Sequence, residues 1–97
     1  MDKTCVMENE TITYAELITN AEGLFGKGNY TEALLDANDA IEMKGDDAWA
    51  YYLRASIKNH LNDMDGAKED WERSIQLGGD TIKYLAKLTE VEKYRFE

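Results

Sequence analysis

The side chains able to do covalent or acid–base chemistry are few and scattered. Cys5 is the single thiol and His60 the single imidazole, and they lie far apart in the chain. A nucleophilic Cys/His pair needs the two groups within hydrogen-bond reach, which here would require the N-terminal segment to fold back onto the helix that carries His60. Carboxylates are plentiful at Asp36, Asp39, Glu42, Asp46, Asp47, Asp63, Asp65, Glu69, Asp70 and Glu72. At helical spacing on polar faces such groups keep a surface solvated. Asp63-Met64-Asp65 opens like a calcium loop, but the central Gly and terminal Glu of that loop do not follow; helix capping accounts for the two acids. Gly26-Lys27-Gly28 reads as a helix end and not as a phosphate loop. No catalytic residue, metal site or cofactor is therefore expected, and the chain is not expected to be an enzyme.

The elements that position the remaining residues are helices. The chain has 97 residues, no Pro, one Cys and seven Gly, and 43% of it is hydrophobic, enough for one core of modest size. Glycines fall in clusters, Gly26 and Gly28, Gly45, then Gly78 and Gly79, each where an apolar periodicity of three and four fades. Thr13 with Glu16 three residues later is a capping box opening a first helix, whose stripe is Leu17, Ala21, Leu24 and Phe25. Asn29 with Glu32 repeats that signature for a second helix carrying Ala33, Leu34, Ala37, Ala40, Ile41 and Met43. Asp46 or Asp47 caps a third, with Trp49, Tyr52, Leu53, Ile57 and Leu61 inward. Asp63 caps a fourth, lined by Ala67, Trp71, Ile75 and Leu77. Asp80 caps a fifth with Ile82, Leu85, Leu88 and Val91 in register, and its end frays.

A period of 34 runs through these helices. It pairs Ala21 with Ala55, Ala33 with Ala67, Asp36 with Asp70, Ile41 with Ile75, Gly45 with Gly79 and Asp46 with Asp80. The small residues fall where two helices must approach closely, and the glycines fall at the same turn. In this respect the chain resembles the tetratricopeptide repeat (TPR) family, over about residues 14–88. The clearest match is Ala50-Tyr51-Tyr52-Leu53-Arg54-Ala55, then Asn62-Asp63-Met64-Asp65-Gly66-Ala67, then Asp70-Trp71-Glu72-Arg73-Ser74-Ile75. The first unit matches through Leu17, Ala21, Gly28-Asn29-Tyr30 and Ala33. Leu17, Tyr30, Tyr51 and Trp71 then fill core positions. Gly45 and Gly79 replace the family's proline, so the turns should be more flexible; Lys58 and Ala37 stand where it offers an aromatic or Leu.

The resemblance implies an all-α superhelix: a flexible leader over residues 1–13, then a TPR-like domain over residues 14–97. Within it, repeat 1 covers about 14–47, repeat 2 about 48–81, and a C-terminal capping helix about 81–95. It also implies a function. The family binds peptides on the concave face made by the first helix of each repeat, where this chain would show Glu22 from the first helix and Trp49, Tyr52, Leu53, Asn59 and His60 from the third. Lys83 and Lys87 would complete the face from the last helix. Trp49, Tyr52 and Leu53 are the apolar anchors of that reading, Asn59 and His60 its polar readers, and Lys83 and Lys87 the groups that accept a partner's carboxylates. The Lys and Asn clamp with which some members hold chaperone C-termini is missing: Ile18, Glu22 and Leu53 occupy its slots, and only Lys83 and Lys87 match.

Charge narrows the partner. Eleven basic against twenty acidic residues leave −9, with a pI near 4.5, so phosphate backbones and anionic lipid are repelled and no nucleic-acid or membrane partner is expected. The first thirteen residues include Asp2, Glu8 and Glu10 and no apolar run of signal-peptide length. A cytoplasmic adaptor that binds a peptide or helix of another protein is the expectation. The alternative is a self-associating module that forms a homodimer through an exposed repeat edge.

Overall fold

The structure is a computed structural model that describes residues 12–92, and these form five helices: α1 (Tyr14–Gly26), α2 (Tyr30–Met43), α3 (Ala48–His60), α4 (Met64–Gln76) and α5 (Thr81–Glu92). The arrangement is all-α, two helix–turn–helix hairpins followed by one helix, as a helical repeat requires. Cys5 and the tail after Glu92 lie outside the described residues.

The helix starts follow the capping residues. Thr13 Oγ1 accepts from the Glu16 amide and Glu16 Oε1 from the Thr13 amide, at 3.1 and 3.0 Å, which closes the capping box. Asp47 accepts from the Trp49 amide, Asp63 from the Gly66 amide and Asp80 from the Lys83 amide. Asn29 stands at the start of α2 but its side chain makes no capping bond, so the second capping signature is only positional. Helices α1, α3 and α4 end alike. Gly28, Asn62 and Gly78 take positive φ, and the amide that follows each reaches back to Leu24, Lys58 or Ser74.

α1 packs on α2 and α3 on α4, with α2 against α3 joining the hairpins. The fully buried residues of α2 are Ala33, Ala37 and Ala40, small enough for a close seam that Phe25, Leu53 and Ile57 fill, while Tyr30, Leu34 and Ile41 pack at its edges. Arg54 ties three helices together. Its guanidinium donates twice to Asp70 on α4, at 2.8 and 2.9 Å, and once to Asn38 on α2, at 3.1 Å. Lys58, at a position where the family offers an aromatic or Leu, also reaches Asp70, at 3.1 Å.

Two apolar stripes differ from expectation. α4 buries Ala67, Asp70 and Ser74 and leaves Ile75 exposed. The cause is polar: Arg54 and Lys58 draw Asp70 inward, and Ser74 Oγ donates to the Ala48 carbonyl at 2.9 Å. On α5 it is Tyr84 and Leu88 that turn inward, while Ile82 and Leu85 stay in solvent. Leu61 also lies at the surface.

Candidate functional site

α5 does not only extend the array. It packs on α1 and α3, the first helices of both hairpins, and so rests on the face expected to receive a partner. Trp49 is at the centre of this contact. Its indole N–H donates to Glu22 Oε2 at 2.8 Å, Lys87 Nζ lies 4.2 Å from its ring centroid, and Tyr84 meets it edge-on at 5.2 Å. Lys87 Nζ is also 3.7 Å from Glu22 Oε2. Tyr52 lies beside Trp49 and 5.4 Å from the Tyr84 ring.

The expected site residues thus divide into two groups. Glu22, Trp49, Tyr52 and Lys87 come together, but around α5. Trp49 and Tyr52 retain 7% and 9% of their surface and Leu53 none. The role of open anchor is therefore corrected for all three: Leu53 is sealed in the core, and the other two are covered by Tyr84 and Lys87. Burial raises the phenol pKa of both Tyr52 and Tyr84, so each stays neutral. The carboxylate that Lys87 meets is Glu22 of its own chain.

The second group borders an opening. Beyond Tyr52, α3 and α5 part around a cleft of about 180 Å³. Buried Phe25, Tyr52 and Leu88 give it an apolar floor beside the equally buried Ser56, Trp71 and Leu85 also line it, and Asn59, His60 and Thr89 form its more exposed polar margin. His60 is held there by aromatic packing, stacked 4.6 Å from Tyr30 with Phe25 edge-on at 5.2 Å. Asn59 and His60 thus both line the cleft. Lys83 lies exposed on the N-terminal part of α5.

Trp71, Leu85 and Thr89 are cleft residues that the sequence reading placed in the core or left aside. The indole N–H of Trp71 is buried without a hydrogen-bond partner. The signal for Leu85 was in the repeat: it stands 34 residues after Tyr51 and 68 after Leu17, positions that a following helix covers. The cleft is smaller than the about 300–1,000 Å³ that small-molecule sites enclose, and its size suits one side chain of a longer ligand.

Among the described residues no group of three or more His, Cys, Asp or Glu side chains could hold a metal ion, and no helix is long and apolar enough to cross a membrane. No family model matches the chain. No solved structure matches it at a significant level. Over 80 residues, 81% of its length, the chain is 34% identical to RNA polymerase II-associated protein 3 of Xenopus tropicalis, and it spans 12% of that protein.

Proposed function

We propose that the chain is a non-catalytic protein-interaction module of the TPR kind, taking an apolar side chain of a partner segment into the cleft between α3, α4 and α5. The observation that carries this reading is the cleft itself, an apolar floor with Asn59 and His60 at its margin on the first-helix side of a helical repeat. Apolar anchors seated in pockets with a polar rim are what interfaces between proteins use. The name of its relative speaks of association with RNA polymerase II, which supports a role in protein assemblies. Glu22 and Lys87 neutralise each other here, so specificity falls to the cleft and not to the lysines.

Panning a random-peptide display library against the whole chain tests the reading. The expected result is a family of peptides sharing one apolar residue, lost when Asn59→Trp fills the cleft while helicity is kept. Peptides that bind wild type and Asn59→Trp alike would remove the cleft as the site.

A further inference from the structure

α5 is held differently from the other four helices. Each of α1 to α4 buries three residues or more, whereas Leu88 is the one buried residue among those described in α5, with Thr81 and Tyr84 half-buried. The rest of its grip is aromatic and polar: Tyr84 stands edge-on to Trp49, and Lys87, its own side chain half-exposed, lies over the Trp49 ring and beside Glu22 Oε2. The joint to α4 is Gly78-Gly79, where Gly78 has positive φ and open space around the place of a Cβ, so the chain can turn there. A helix with so few buried apolar contacts opens before the rest of a fold does. What it covers is built without it. The Trp49 indole is bonded to Glu22 and stacked beside Tyr52, so α1 and α3 alone set an aromatic surface with a carboxylate at its edge.

We propose that α5 is a built-in competitor for this face, displaced by a partner helix that carries an aromatic residue, a Lys or Arg three places on and an apolar residue directly after it. Tyr84, Lys87 and Leu88 have that spacing, and their contacts say what each partner residue does. The aromatic ring meets Trp49 by its edge, the cation takes the place of Lys87 over the indole and at Glu22, and the apolar residue fills the seat of Leu88. Trp and Tyr seated with a charge at their margin are groups that carry binding energy between proteins. The net charge of −9 favours a cation-bearing helix over an acidic one.

The cleft needs α5 in place and this face needs it lifted, so the proposal does not rest on the cleft reading, and its test uses Tyr84 and Lys87, neither of which lines the cleft. Native-state hydrogen exchange of the full chain should show the α5 amides opening together, at least about tenfold more often than those of α3. The binding probe is a synthetic peptide of residues 80–92. The full chain with Lys87→Glu, which sets a second carboxylate beside Glu22 and releases α5, should bind this peptide at least about tenfold more tightly than wild type does. Tyr84→Ser in the full chain should act in the same direction, and a peptide carrying both Tyr84→Ser and Lys87→Glu should bind none of the three chains. Exchange of α5 only through global unfolding would overturn the proposal. So would a peptide that the two variant chains hold no more tightly than wild type does, or one that binds as well without its Tyr and Lys.

Discussion

The indole N–H of Trp49 donates to Glu22 Oε2 at 2.8 Å, across 27 residues of chain, and Lys87 closes over the same ring and the same oxygen. One carboxylate thus holds α1, α3 and α5 together. In Glu22→Ala the buried donor of Trp49 loses its acceptor, which costs about 1–3 kcal/mol. Glu22→Gln keeps an acceptor and loses only the pairing with half-exposed Lys87, about 1 kcal/mol or less. Urea unfolding followed by tryptophan emission reads both. Equal losses in the two variants would show that the charge, not the hydrogen bond, holds the contact.

Asp70 presents a sharper case because it is nearly enclosed and serves two cations. The pKa of Arg54 is raised, first by its hydrogen bonds to Asp70, against the opposing effect of burial. Asp70→Ala strands both cations at the α3–α4 seam and should cost about 3 kcal/mol, the lower end for breaking a buried pair, since Arg54 and Lys58 keep some access to water. Arg54→Lys loses the forked geometry and the reach to Asn38, and should cost about 1–2 kcal/mol. The denaturation midpoints fall in that order with an unchanged slope if the fold is kept.

Alkaline pH should loosen the molecule through its phenols. Tyr14 is raised far above its ordinary value of 10.0, chiefly by burial, then by the hydrogen bond it donates to Asp47 at 2.7 Å and by the charges of Asp47 and Asp46. Tyr52 and Tyr84 are raised by burial. The folded state keeps phenolic protons that the unfolded chain releases near pH 10, so this contribution is complete below that pH and is lost as pH rises above it. Unfolding free energy should therefore fall with pH beyond about 10. Tyr14→Phe should flatten that fall while costing about 0.5–1.5 kcal/mol at neutral pH for the lost hydrogen bond. An alkaline limb as steep in Tyr14→Phe as in wild type would show that Tyr14 plays no part in it.

How much of this was legible in the sequence depended on the range of the interaction. Thr13, Asp47, Asp63 and Asp80 act on amides two or three residues away, and such local bonds can be read from spacing. The small residues Ala21, Ala33, Ala55 and Ala67 marked the close approaches through the 34-residue period, and all are fully buried. The rotation of α4 was not readable, because periodicity ranks Ile75 above Asp70. Only the cations facing Asp70 from another helix reverse that order. The same limit hid the covering of Trp49: the family resemblance placed it on the concave face as an aromatic anchor, but whether α5 extends the array or lies across α1 and α3 is decided by Glu22, Tyr84 and Lys87 jointly.

Gly45 and Gly79 occupy the same place in the repeat and replace the same expected proline, yet they should respond differently to a methyl group. A Cβ on Gly79 would lie 2.7 Å from Ser74 Oγ, 2.8 Å from Tyr84 Cε2 and 3.0 Å from the Ser74 carbonyl oxygen. Ser74 cannot swing away freely, since its hydroxyl is bound to the Ala48 carbonyl, and Tyr84 is wedged against Trp49. Gly79→Ala should therefore destabilise by about 1–3 kcal/mol and shift α5, moving tryptophan emission because Tyr84 and Lys87 cover Trp49. On Gly45 the nearest atom to a Cβ is the Ile41 carbonyl oxygen at 3.4 Å, an ordinary contact, and the Tyr51 hydroxyl follows at 3.6 Å. There the restriction of the unfolded chain prevails, and Gly45→Ala should be neutral or stabilising by up to about 1 kcal/mol. Thermal unfolding of the two variants side by side checks the contrast. Equal effects of the same sign would mean that α5 does not press on the second turn as the Gly79 contacts require.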